Sequence, residues 1–162
     1  MPLEVEKKFL VNTEVLAAQI ELEKLQVKTL KQAYLASSST AVVRVRRDEY
    51  KGYLTVKQRS SGLKRIEVER ELSIAEAEEL FELCPSSLVE KRRYCIPFKT
   101  LTIELDVFLG ANEGLVLAEV EFTDEQQAQA FIPPSWFLDE VSADHRYYNH
   151  YLSEHPFSSW TS

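Results

Sequence analysis

Residues 3–10 read LEVEKKFL. In an extended chain they put Glu4, Glu6 and Lys8 on one side and Leu3, Val5 and Phe9 on the other, because side chains two apart share a face. The same spacing recurs at Arg44/Arg46, Lys57/Arg59, Arg65/Glu67/Glu69, Lys91/Arg93, Glu104/Asp106 and Glu119/Glu121. Apolar residues alternate with these charges: Val43 and Val45, Ile66 and Val68, Ile103 and Leu105, Ala118 and Val120. One such strand describes a sheet with a solvated side. Seven segments whose polar positions are almost purely charged describe a charged interior instead.

Strands are expected over 3–10, 29–36, 41–48, 52–60, 64–72, 88–96, 100–108 and 115–123. Lys51-Gly52, Ser60-Ser61-Gly62 and Ala111-Asn112-Glu113-Gly114 read as hairpin turns, so consecutive strands are antiparallel. Helices fit the gaps. Over 13–25, Val15, Ala18, Leu22 and Leu25 form a stripe. Over 73–84, Ser73 followed by Glu76 is a capping box. A third helix over 124–131 starts at Thr123 or Asp124 and is stopped by Pro133-Pro134, and a fourth over 143–153 has Ser142 as a candidate cap. The apolar strand faces need these helices, which leaves the charged faces inside. The expected fold is α+β: one domain over 1–162, an eight-stranded antiparallel, closed or nearly closed β-barrel (a tunnel) with helices packed outside.

The chain has 162 residues, 44% hydrophobic and 28% charged, with a net charge of −7, as in a globular domain with a real core. That balance argues against a protein that coats nucleic acid, which needs a basic face. It does not argue against a small polyanion, since local placement of charge decides there. No apolar run approaches the ~20 residues of a membrane span, and the start Met1-Pro2-Leu3-Glu4 has no signal-peptide pattern. Cys84 and Cys95 are read as reduced core residues. A cytoplasmic monomer or homodimer is expected, with no nucleic-acid or membrane partner.

The basic positions are Lys8, Arg44, Arg46, Lys57, Arg59, Arg65, Lys91 and Arg93. The acidic ones are Glu4, Glu6, Glu67, Glu69, Glu104, Asp106, Glu119 and Glu121. Mutual pairing could neutralise such a lumen, but the signs are segregated. Arg44/Arg46 and Lys57/Arg59 on one hairpin form a basic wall suited to phosphate oxygens. Glu104/Asp106 and Glu119/Glu121 on another form an acidic wall suited to Mg2+ or Mn2+. Together they suggest a metal–polyphosphate complex. With only four glycines there is no phosphate loop. His145, His150 and His155, spaced by five, would be spread around a helix rather than gathered as a zinc site. The aromatic residues Tyr147, Tyr148, Tyr151 and Trp160 are read mainly as packing, in a segment that could plug one tunnel mouth.

Glu4-x-Glu6-x-Lys8 resembles the E-x-E-x-K signature of the triphosphate tunnel metalloenzymes, the CYTH superfamily. Arg44-x-Arg46, Lys57, Arg65-x-Glu67-x-Glu69, Glu90-Lys91-x-Arg93-Tyr94, Glu104-x-Asp106, Glu119-x-Glu121 and Asp144-x-Arg146-Tyr147-Tyr148-Asn149 follow in the family order. The length and opening are most similar to the short bacterial inorganic tripolyphosphatase branch. The resemblance implies a divalent-metal-dependent triphosphatase, using two Mg2+ or Mn2+ ions to convert tripolyphosphate into pyrophosphate and phosphate. It implies catalytic roles for Glu4, Glu6 and Lys8, the basic set on the triphosphate, and the acidic set on metal. Nucleoside or thiamine triphosphatases and class IV adenylate cyclases share the fold and stay open as alternatives, as does a non-catalytic polyphosphate- or nucleotide-binding module.

Overall fold

The computed structural model describes residues 5–59 and 66–160. Nine strands form one antiparallel sheet: β1 (Val5–Val11), β2 (Val27–Ser37), β3 (Ala41–Arg47), β4 (Gly52–Gln58), β5 (Glu67–Leu72), β6 (Val89–Phe98), β7 (Leu101–Leu109), β8 (Val116–Phe122) and β9 (Phe137–Glu140). Their spatial order is β5-β4-β3-β2-β6-β7-β8-β1-β9. Eight of these are the expected strands. The ninth, FLDE, is too short and polar to signal itself, and it pairs with β1 at Phe9 and Val11. Among the described residues the sheet does not close, since β5 and β9 are its two edges.

The two faces differ as the alternation requires. Ile96, Ile103, Leu105, Ala118, Val120 and Phe9 point outward into one apolar core. That core is covered by α1 (Thr13–Gln19), α3 (Glu125–Ala130), Trp136 and Phe137. A second apolar cluster lies on the charged side. Leu10, Val89, Phe108 and Leu117 belong, by register, to the inner face, and they pack with Leu152, Phe157 and Trp160 of the C-terminal segment. The C-terminal aromatic residues therefore fill one end of the concave face.

Local differences from the expected elements have local causes. The first helix ends at Gln19 because Ile20 turns extended (φ −131°), and only a 3₁₀ turn follows at Leu22–Lys24; Leu16 is its buried residue while Ala18 is exposed. Helix α2 (Ile74–Phe81) has the full capping box, Ser73 accepting from the Glu76 amide and Glu76 from the Ser73 amide. Gly52 is not a turn residue. Asp48–Lys51 make that turn, with Asp48 Oδ1 accepting from the amides of Tyr50 and Lys51, and Gly52 opens β4. Its reason is contact: a Cβ there would stand 2.8 Å from Ala77 Cβ of α2. Gly110 and Gly114 do supply positive φ in the β7–β8 turn, at 60° and 100°. The Ser60-Ser61-Gly62 turn lies outside the described residues. The fourth helix is short, α4 (Asn149–Glu154), preceded by a 3₁₀ turn at His145–Tyr147 capped by Asp144. Ser142 caps nothing; its Oγ donates to Glu140 and accepts from the Lys8 amide.

Candidate active site

The concave face holds a cavity of about 760 Å³. Ten of the expected site residues line it: Lys8, Arg44, Arg46, Lys57, Arg59 and Arg93 among the cations, and Glu6, Glu67, Glu69 and Glu119 among the carboxylates. Glu4 and Arg65 lie outside the described residues. Lys91, Glu104, Asp106 and Glu121 are not at the cavity wall.

For Lys91, Glu104 and Asp106 the reason is the β6–β7 register. The two-residue turn at Lys99-Thr100 sets Arg93 opposite Asp106 and Cys95 opposite Glu104. Asp106 is 3% exposed. Its Oδ1 accepts from Arg93 Nε at 2.8 Å, and its Oδ2 from Arg93 Nη2 at 3.0 Å and Lys91 Nζ at 2.9 Å. Arg93 Nη1 also meets Glu104 Oε2 at 2.8 Å. The acidic wall is therefore neutralised at Glu104 and Asp106 by the neighbouring strand. Burial works against all three charges. Even so, Lys91 and Arg93 hold Asp106 well below the usual carboxylate range. Burial is also resisted at Arg93, which Asp106 and Glu104 keep above its ordinary value. Lys91 has no exposure, and burial pushes it down to about 8 despite Asp106.

The basic wall is built on β3 and β4. Arg46 donates through Nε to Gln32 Oε1 at 2.8 Å, and burial, then the charges of Arg44 and Arg93, push it down to about 10. Arg44 reaches Thr55 Oγ1 through Nη2 at 3.4 Å, and Thr55 in turn donates to Glu69 Oε2 at 2.9 Å. Among the described residues, Arg44 Nε is buried with no hydrogen-bond partner. Glu67 lies 4.0 Å from Lys57. Glu67 and Glu69 thus sit against the cations of their own wall. Tyr34 lines the cavity between Arg44 and His150, and burial raises its hydroxyl pKa against the pull of Arg44 and Arg46.

On the opposite wall, β1 and β8 place Lys8 across from Glu119 and Glu6 across from Glu121. Burial alone would raise the Glu119 carboxyl. A hydrogen bond with Glu6 and the charges of Lys8, Lys91 and Arg93 lower it instead. Two carboxyl groups drawn together at the cavity wall form a hard-oxygen donor pair. Among the described residues no three His, Cys, Asp or Glu side chains converge to hold a metal by themselves. The pair fits Mg2+ or Mn2+ all the same, because such ions commonly take one or two carboxylates and complete their shell with water and substrate oxygens.

The C-terminal segment supplies residues that spacing did not reveal. Lys8 Nζ donates to the Tyr147 carbonyl at 3.4 Å and lies 4.6 Å from the Tyr148 ring centroid. His145, His150 and His155 all line the cavity, because they fall in a 3₁₀ turn, a helix and the residue beyond it rather than on one continuous helix. The pairing of Asp144 and Arg146 stays away from the cavity.

The CYTH domain model matches residues 2–149 of the chain. An inorganic triphosphatase of Acetivibrio thermocellus is 42% identical over 161 residues, covering 99% of this chain and 99% of that protein. An inorganic triphosphatase of Nitrosomonas europaea is 39% identical over 153 residues, covering 93% and 96%. Among solved structures, that of the inorganic triphosphatase NE1496 is similar with a TM-score of 0.72 at 35% identity, over 94% of this chain and 95% of that one.

Proposed function

The chain belongs to the CYTH domain family, and from that premise we propose that it is a divalent-metal-dependent hydrolase of inorganic triphosphate, releasing pyrophosphate and phosphate. The observation that carries this reading is one cavity with Lys8, Arg44, Arg46, Lys57 and Arg93 around a Glu6–Glu119 carboxylate pair. The cations of the wall suit a short polyphosphate, and Arg44 Nε, with no partner among the described residues, offers one more donor for its oxygens.

Arg44 and Arg46 grip one stretch of the phosphate chain, and Lys8 and Arg93 the other. Glu6 and Glu119 would hold the ion, Mg2+ or Mn2+, and the E-x-E-x-K pattern adds Glu4 as a candidate further ligand. When bound, the ion screens phosphate charge and lowers the pKa of a coordinated water. Water adds to a terminal phosphorus as the bridging P–O bond breaks, and the bond pair leaves on pyrophosphate. The fixed guanidinium groups stabilise the charge that collects on that leaving oxygen. A carboxylate of the Glu4/Glu6 pair accepts the water proton.

A substrate panel tests the reading. With Mg2+ or Mn2+, phosphate release from tripolyphosphate should exceed that from ATP, thiamine triphosphate and pyrophosphate by at least about tenfold, a difference of about 1.4 kcal/mol in activation free energy. It should stop on chelation. Equal or faster turnover of a nucleotide, or release that survives chelation, overturns it.

A further inference from the structure

Lys91 raises a question that the phosphate-binding scheme does not answer. Its ammonium group is fully buried and absent from the cavity wall, so it cannot act as Arg46 or Arg93 do. Its hydrogen bonds go to Asp106 Oδ2 at 2.9 Å and to Asn149 Oδ1 at 3.2 Å, and its Nζ lies 5.4 Å from the Phe108 ring centroid. Asn149, unlike Lys91, does line the cavity. It is the first residue of α4, directly after the tyrosine whose ring meets Lys8.

An amide presents an oxygen acceptor on one side and two N–H donors on the other, and the two faces can exchange by a flip. Lys91 removes that freedom. An ammonium group has three donors and no acceptor, so it faces only the amide oxygen. Once Oδ1 is committed to Lys91, the Nδ2 donors are turned the other way.

We infer that Asn149 is a substrate-binding residue: Lys91 fixes its amide so that Nδ2 donates to a phosphate oxygen of the bound triphosphate. Lys91 then acts as a positioning residue, and Asp106 as the counter-charge that keeps it in place. The inference rests on the triphosphatase reading and adds to it a neutral donor supplied by the C-terminal segment. A neutral donor has a use in this cavity. Arg46 and Lys91 already suffer from neighbouring cations, and a further charge would deepen that repulsion, whereas an amide contributes a hydrogen bond without it.

The substitution Asn149→Asp separates this role from a structural one. Aspartate keeps an oxygen acceptor for Lys91, and as a carboxylate it strengthens that contact, so the melting temperature should match or exceed the wild-type value. It loses both N–H donors and faces the substrate with a negative charge. The KM for tripolyphosphate should rise at least about tenfold, in line with loss of a hydrogen bond to a charged group. The Kd of a non-hydrolysable imido analogue of tripolyphosphate should rise by a similar factor. Wild-type turnover with an unchanged KM in N149D overturns the inference alone. A marked loss of melting temperature in N149D also overturns it, because the lysine contact is then not what Asn149 provides. A wild-type chain that neither binds nor hydrolyses tripolyphosphate overturns the functional reading as well.

Discussion

Arg46 shows how a single residue is committed to a ligand rather than to the fold. Burial and the charges of Arg44 and Arg93 push it down to about 10, so its charge, though held at every pH below that value, is less favoured here than in water. A polyanion reverses the balance. Arg46→Ala should therefore raise the KM for tripolyphosphate at least about tenfold, the scale of a lost charge-assisted hydrogen bond. It should lower the melting temperature little, because relief of repulsion offsets the loss of the Gln32 contact. Steady-state kinetics and a thermal melt decide this together; an unchanged KM removes Arg46 from the site. At this scale the cavity was largely legible in the sequence. Period-two charge spacing points Lys8, Arg44, Arg46 and Arg93 inward whatever the strand order is. Tyr148 and Asn149 were marked only by the family resemblance and the three histidines not at all, because they reach the cavity through a 3₁₀ turn and a short helix that carry no periodic signal.

Elements with a local chemical signature were readable for the same reason. Ser73 and Glu76 announce α2, since a capping box satisfies orphan amides within four residues. Asp106 could have been placed beside Arg93 had the Lys99-Thr100 turn been recognised, because a two-residue turn fixes the register of a whole hairpin. Gly52 marks the limit of local reading. It looks like a turn glycine, yet its role is the approach of α2 to β4. Its Cβ would stand 2.8 Å from Ala77 Cβ, 3.2 Å from the Ser73 carbonyl oxygen and 3.3 Å from Leu72 Cβ, none of which can rotate away. Gly52→Ala should cost about 1–3 kcal/mol as overpacking. At this chain length that is roughly 2–12 °C of melting temperature. The loss should shrink when the same change is made in an Ala77→Gly background. An equal loss in both backgrounds would mean that the helix–strand contact is not the cause.

At the scale of the molecule, the sheet brings opposite charges from β6 and β7 into one buried group, and its pH response follows. Asp106 is held below its ordinary value by Lys91 and Arg93 against burial. Its contribution to stability is thus fully present above about pH 4, the unfolded aspartate range, and is lost as pH falls toward the lower folded value. Lys91 has the opposite linkage. Its folded value near 8 is below the unfolded ~10.4, so the unfolded chain binds more protons between those two values and stability rises with pH there. Asp106→Asn removes the carboxylate and leaves Lys91 buried without its counter-charge and Arg93 with Glu104 alone, which should cost about 3–5 kcal/mol at pH 7. The same change should flatten the acid limb of the stability curve and move the alkaline rise of Lys91 to lower pH. Denaturant midpoints measured from pH 2 to 10 for both chains test this. An acid limb of unchanged steepness in D106N would assign acid unfolding to other carboxylates. An unchanged alkaline rise would mean that Asp106 does not support the charge on Lys91.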